Sequence, residues 1–110
     1  MKPIIYLACP YTHEDRAIRL ARFAAVNRAA GRLMALGNVV FSPISHTHPI
    51  AEACDLPLGW EYWREFDEAY LARCGELYVL CLEGWQESVG VDAEIAIAER
   101  FGLPIVYITE

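Results

Sequence analysis

Four short apolar runs, each set apart from the next by residues of helical spacing or turn composition, restrict this chain to few architectures. The runs are Pro3–Cys9, Asn38–Ser42, Leu77–Leu82 and Ile105–Ile108. Their lengths suit strands, and their near-continuous apolar character suits strands buried on both faces. Between them, Glu14–Leu36 carries Leu20, Phe23, Ala24, Ala30 and Met34 at three- and four-residue steps, the spacing of an amphipathic helix. Gly59–Cys74 and the stretch Ser88–Gly102 repeat that spacing. Gly37-Asn38 is expected to end the first helix in the left-handed way, and Gly102-Leu103-Pro104 to stop the last. Residues 43–58 hold three prolines and two histidines, so a loop or short helical piece is expected there.

Strands alternating with helices imply a parallel sheet covered on both sides. The expected architecture is a single α/β domain over residues 1–110, a flavodoxin-like three-layer sandwich with a short parallel sheet in strand order 2-1-3-4. Parallel crossovers are right-handed, so the loops that leave strand C-termini share one edge of the sheet. Those loops are Pro10–His13, Pro43–Pro49 and Glu83–Ser88, and together they predict one pocket.

Composition removes several functions. A net charge of −6 without any cluster of Lys or Arg excludes a nucleic acid polymer as partner. The four cysteines, at 9, 54, 74 and 81, form no CxxC pair, so they are read as reduced, with no structural metal and no cofactor expected. No apolar run reaches membrane-spanning length, and Met1-Lys-Pro-Ile-Ile-Tyr6 leads directly into a strand, so a cytoplasmic protein without a membrane partner is expected. The hydrophobic fraction of 55% is high for a small monomer and points to an exposed apolar face, hence a homodimer or homotetramer.

Against this background two acids are out of place. In the last helix Val91, Ile95, Ala98 and Phe101 form the expected apolar stripe, with Asp92, Ala96, Glu99 and Arg100 opposite. Glu94 falls within the stripe, where an unpartnered carboxylate is costly. In the helix before strand three, Trp63, Phe66, Tyr70 and Cys74 mark the apolar side, and Asp67 stands among them. One such acid is explained by a backbone amide or an arginine nearby. Two, on helices flanking one strand, suit chemistry in which carboxylates act in concert. Ser88 is placed to cap the Glu94 helix, and Gly90 would let an anion approach its N-terminal amides.

Tyr6-Leu-Ala-Cys-Pro10, Asp67 seven residues before Cys74-Gly75, and Ser88-Val-Gly-Val-Asp-Ala-Glu94 together resemble the nucleoside 2-deoxyribosyltransferase superfamily, above all its 2′-deoxynucleoside 5′-phosphate N-hydrolases. The resemblance runs nearly end to end, and Ser-x-Gly-x-x-x-Glu is its most specific part. It implies that Glu94 attacks the sugar C1′ and expels the base, that Asp67 orients the sugar, and that Tyr6 lies near the nucleophile. Ser88 then meets a 5′-phosphate, and the substrate is a small nucleotide or nucleoside. Cys9 stands where the family has Gly, and Cys74-Gly75 where it has Ala-Asp. The chain stops at Glu110 after strand four, so no C-terminal residue is expected to complete a neighbour's pocket.

Other residues of the shared loop edge carry weaker signals. Pro10, Tyr11, His13 and Arg16 follow strand one and are candidates to contact base or phosphate, with a plain solvent-facing role as the alternative for Arg16. His46 is the better substrate contact of the pair in Ser45-His-Thr-His48, and His48 is expected in solvent. That His-x-His pair has no third ligand at a telling distance, which argues against metal. Cys9 to Arg16 looks like the phosphate loop of cysteine phosphatases, but it is one residue too long and holds Glu14 and Asp15, which would raise the thiol pKa. Tyr62 and Trp63 fit a subunit interface. A nucleoside deoxyribosyltransferase, and a non-catalytic nucleotide-binding regulatory module on the same fold, are the alternatives to a hydrolase.

Overall fold

The computed structural model describes every residue, Met1–Glu110. Its strands are β1 (Ile4–Ala8), β2 (Val39–Phe41), β3 (Glu76–Leu80) and β4 (Ile105–Ile108). The helices are α1 (Arg16–Ala35), α2 (Pro43–Cys54), α3 (Trp60–Leu71) and α4 (Val89–Arg100), with a short 3₁₀ turn at Trp85–Glu87. All four strands form one parallel sheet in the order β2-β1-β3-β4, with Tyr6 opposite Phe41 on one side and Leu77 on the other. The architecture is a flavodoxin-like α/β sandwich.

The pleat of β1 sorts its side chains between two cores. Tyr6 and Ala8 join Leu71 of α3 and Val91, Ile97 and Ala98 of α4 on one face. Leu7 and Cys9 join Val26, Ala29 and Ala30 of α1 on the other. Asp15 caps α1 by accepting from the Ala17 N–H at 2.9 Å, and Gly37, at φ +93°, ends it as expected.

The helices sit on different stripes from those read in the sequence. α1 buries Ala25, Val26, Ala29 and Ala30 and leaves Leu20 and Met34 at its exposed margins. Small side chains let a helix lie close to a sheet, and here closeness outweighs side-chain size. α3 turns Asp67 and Leu71 inward, leaving Phe66 and Tyr70 46% and 40% exposed. α4 buries Val91, Glu94, Ile97 and Ala98, while Phe101 is exposed.

The segment read as a loop is in larger part the twelve-residue helix α2. Pro43 occupies its first turn, where the missing N–H costs nothing and the fixed φ suits a helix. Pro49 lies inside and denies the Ser45 carbonyl its helical donor. Asp55, left-handed at φ 53°, ends the helix. No helix is long and apolar enough to cross a membrane.

Candidate active site

Strand β1 ends at Ala8, and the chain then turns away from the sheet through Cys9, Pro10 and Tyr11. At that edge α2 supplies one wall of a cavity of about 430 Å³, and the starts of α3 and α4 supply the rest. Asp67, Glu94, Ser88, Gly90, Tyr11 and His48 are among its lining residues. Trp60 and Trp63 add aromatic surface.

Glu94 is 5% exposed and Asp67 9%, so both carboxyls lie in a largely desolvated place. The fully buried Tyr6 hydroxyl donates to Glu94 Oε2. Burial, followed by the nearby charges of Glu94 and Asp67, holds the Tyr6 pKa well above the ordinary phenol value, so Tyr6 stays a donor. Burial pushes the Asp67 carboxyl up to about 7, with the Tyr6 hydroxyl pulling the other way. Glu94 is pushed up to about 8, by burial first and by the negative charge of Asp67 second, against the same Tyr6 hydroxyl. Two carboxyls that penalise each other's ionisation titrate as a pair and hold a proton near neutral pH. One acid of the pair can then serve as nucleophile while the other carries a proton.

Ser88 is the N-cap of α4, its Oγ accepting from the Val91 N–H at 3.2 Å. Gly90 has no steric need to be glycine, because a Cβ there would come no closer than 3.8 Å to Trp60. Its missing side chain leaves the cavity open at the helix terminus, where an anion is favoured. Glu61 and Glu87 line the same cavity, however, and no lysine or arginine does. The wall is acidic.

Residues 3–110 match the family model of DUF1937, a domain of unknown function. The chain belongs to the DUF1937 family. Comparison with curated proteins found no match.

In this DUF1937 domain the remaining candidates divide sharply. Tyr6, Asp67 and Glu94 come together, and Ser88, Gly90 and Tyr11 line the same space. Pro10 is buried beside it without lining it. His13 faces a second hollow of about 770 Å³ beside α1, and its Nδ1 accepts from the Asp15 N–H. Arg16 is exposed and paired with Glu52 at 2.5 Å. His46 is exposed near Phe41 and Tyr70, outside the cavity. His48, expected in solvent, is instead buried and lines the cavity, because α2 turns it inward.

Trp63, read in the sequence as a subunit contact, lines the cavity wall. Its spacing from Asp67 was the available signal, since residues four apart share a helix face. The Cys9 thiol is pushed up by burial and by Glu94, against Arg22, so it stays protonated and is no phosphatase nucleophile. All four cysteines are free. Gly75 has its own reason: a Cβ there would stand 2.7 Å from the Pro3 Cβ. A larger residue at 75 would push strand β1 away.

Proposed function

We propose that this DUF1937 domain cleaves the N-glycosidic bond of a deoxynucleoside 5′-monophosphate or its nucleoside, with Glu94 as nucleophile. The observation that carries the reading is the buried pair of carboxyls, delivered by two helices to one aromatic-lined cavity and joined to Tyr6. The likeness of Ser88-Val-Gly-Val-Asp-Ala-Glu94 to the deoxyribosyltransferase superfamily supports the same assignment.

The free pair keeps its one proton on Glu94, the weaker acid of the two; in the reacting form that proton has moved to Asp67 and Glu94 is ionised. A Glu94 oxygen bonds to C1′ as the C1′–N bond breaks, and the base leaves with that electron pair and takes the Asp67 proton. Water then cleaves the glycosyl ester, giving its hydroxyl to C1′ and returning a proton to Asp67. Positive charge developing at C1′ favours the ionised Glu94, whose carboxyl is nearly out of solvent.

Ser88 and the α4 N-terminus favour a 5′-phosphate, whereas Glu61 and Glu87 disfavour one. The test is therefore to incubate the purified protein with the common deoxynucleosides and their monophosphates and measure free base. Release that disappears in Glu94→Gln, while the fold persists, supports the reading. Stabilisation by ligand without release would favour the regulatory module. Exchange onto an added second base would make the enzyme a transferase. The proposal includes a homodimer or homotetramer in the cytoplasm. The partly exposed ridge of Tyr62, Phe66 and Tyr70 on α3 supports self-association, and sedimentation of wild type against Phe66→Ser measures it.

A further inference from the structure

His48 plays no part in the chemistry above, yet it is built into the cavity with care. The ring is 6% exposed and stacks on Phe23 of α1 at 4.2 Å between centroids. Nδ1 is hydrogen-bonded to the Tyr11 hydroxyl. A phenol is the stronger acid and an imidazole the stronger base, so Tyr11 O–H donates to Nδ1 and the ring proton stays on Nε2. Nε2 has no partner within the chain, and it is not among the sealed, unsatisfied polar atoms. Because His48 lines the cavity, the open nitrogen is available to what the cavity binds.

The surroundings keep the ring neutral. Burial lowers the His48 pKa, Glu52 works against that, and Arg16 and Arg19 reinforce it. A neutral ring with a fixed tautomer is a hydrogen-bond donor of constant direction. The α2 wall that carries it shares the cavity with Asp67 and Glu94, and the aromatic surface of Trp60 and Trp63 suits a flat heterocycle.

We propose that His48 Nε2–H meets the substrate's base and hydrogen-bonds an acceptor on it. This rests on the glycosidic reading of the site and adds the residue that recognises the leaving group. As the C1′–N bond breaks, its electron pair moves onto the base, and a donor there counts for more in the transition state than in the ground state. His48 gives a hydrogen bond and no proton, since a neutral imidazole that lost one would become imidazolate. Tyr11 is a positioning residue, acting through the His48 tautomer.

The test has two arms. In the first, free nucleobases are titrated into wild-type protein and the imidazole nitrogens are followed by ¹⁵N NMR. The His48 Nε2 resonance should move on binding, with His13 and His46 unmoved. No movement of His48 at saturating base overturns the proposal. In the second, base release is compared for ordinary purine deoxynucleosides and for a 7-methylpurine deoxynucleoside, whose cationic base departs neutral. His48→Phe, which keeps the stack on Phe23, should lose roughly 10- to 100-fold on the ordinary substrates and less than about 3-fold on the methylated one. His48→Gln, which restores an N–H donor, should recover part of the loss, and Tyr11→Phe should show a smaller loss of the same pattern. An equal loss on both substrates would mean a merely structural role and would also overturn it. A moving His48 resonance in a protein that releases no base from any substrate removes the glycosidase reading and leaves the base contact standing.

Discussion

The two faces of the sheet are built on opposite terms. Toward α1, the buried cluster of Leu7, Cys9, Val26, Ala29, Ala30 and Leu80 contains no carboxyl and no hydroxyl. Toward α3 and α4, an apolar cluster of similar size surrounds Tyr6, Asp67 and Glu94. One residue of register in β1 separates the two, since Tyr6 and Leu7 point to opposite sides. The first face supplies stability at little electrostatic cost. The second gives up stability to hold two acids where water is scarce, which is the usual relation between a reactive site and its scaffold.

If that division is right, substitutions on the two faces should separate activity from stability. The largest effect expected is Glu94→Gln, which should cut base release by at least about 10³-fold in a discontinuous assay of free base, with the circular dichroism spectrum kept. Asp67→Asn comes next, at roughly 10²-fold. It should also remove the alkaline fall of kcat/KM, because the side chain left at 67 has no proton to lose. On the opposite face Leu7→Ala should cost about 3 kcal/mol in urea unfolding and leave kcat/KM within about twofold. Equal damage to activity from Leu7→Ala would erase the contrast.

Smaller, and of opposite sign to most core substitutions, is the effect of pH. The folded pKa values of Asp67 and Glu94 lie above the ordinary values of 3.8 and 4.5. The unfolded chain therefore releases these protons first as pH rises. The pair's contribution to stability is complete below about pH 4, declines as the unfolded carboxyls ionise, and is gone once pH has climbed through about 7 and 8. Glu94→Gln should flatten that decline and be the more stable protein at pH 8, by about 1–3 kcal/mol. Thermal unfolding across pH 5–9 measures it, and parallel curves for the two proteins would contradict the assignment of the buried acid.

Much of this was legible in the sequence. Strand order and element order follow from short apolar runs alternating with helices, a pattern that tertiary packing reinforces. Glu94 and Asp67 were legible because a charged residue inside an apolar stripe breaks a strong rule. The exact stripe was not: Phe66 and Tyr70 look like core, yet α3 turns Asp67 and Leu71 inward. Helical spacing leaves neighbouring stripes nearly equivalent, and only the shape of the opposing sheet chooses between them. His48 was missed because three prolines argued against the helix that turns it inward. Pro43 stands where a helix welcomes proline, so the breaker was also a starter. Arg16 and His13 look like ligand contacts by position, but local partners, Glu52 and the Asp15 N–H, already engage them.

The central claim is that Glu94 and Asp67, both buried against one cavity, shift each other's ionisation, and it can be tested without any substrate. Side-chain carboxyl carbons followed by ¹³C NMR from pH 3 to pH 10, in wild type and in Asp67→Asn, read it directly. The account predicts a Glu94 carboxyl that titrates near 8 in wild type and at lower pH once Asp67 is neutral. A Glu94 carboxyl that titrates near 4.5 in both proteins would contradict it.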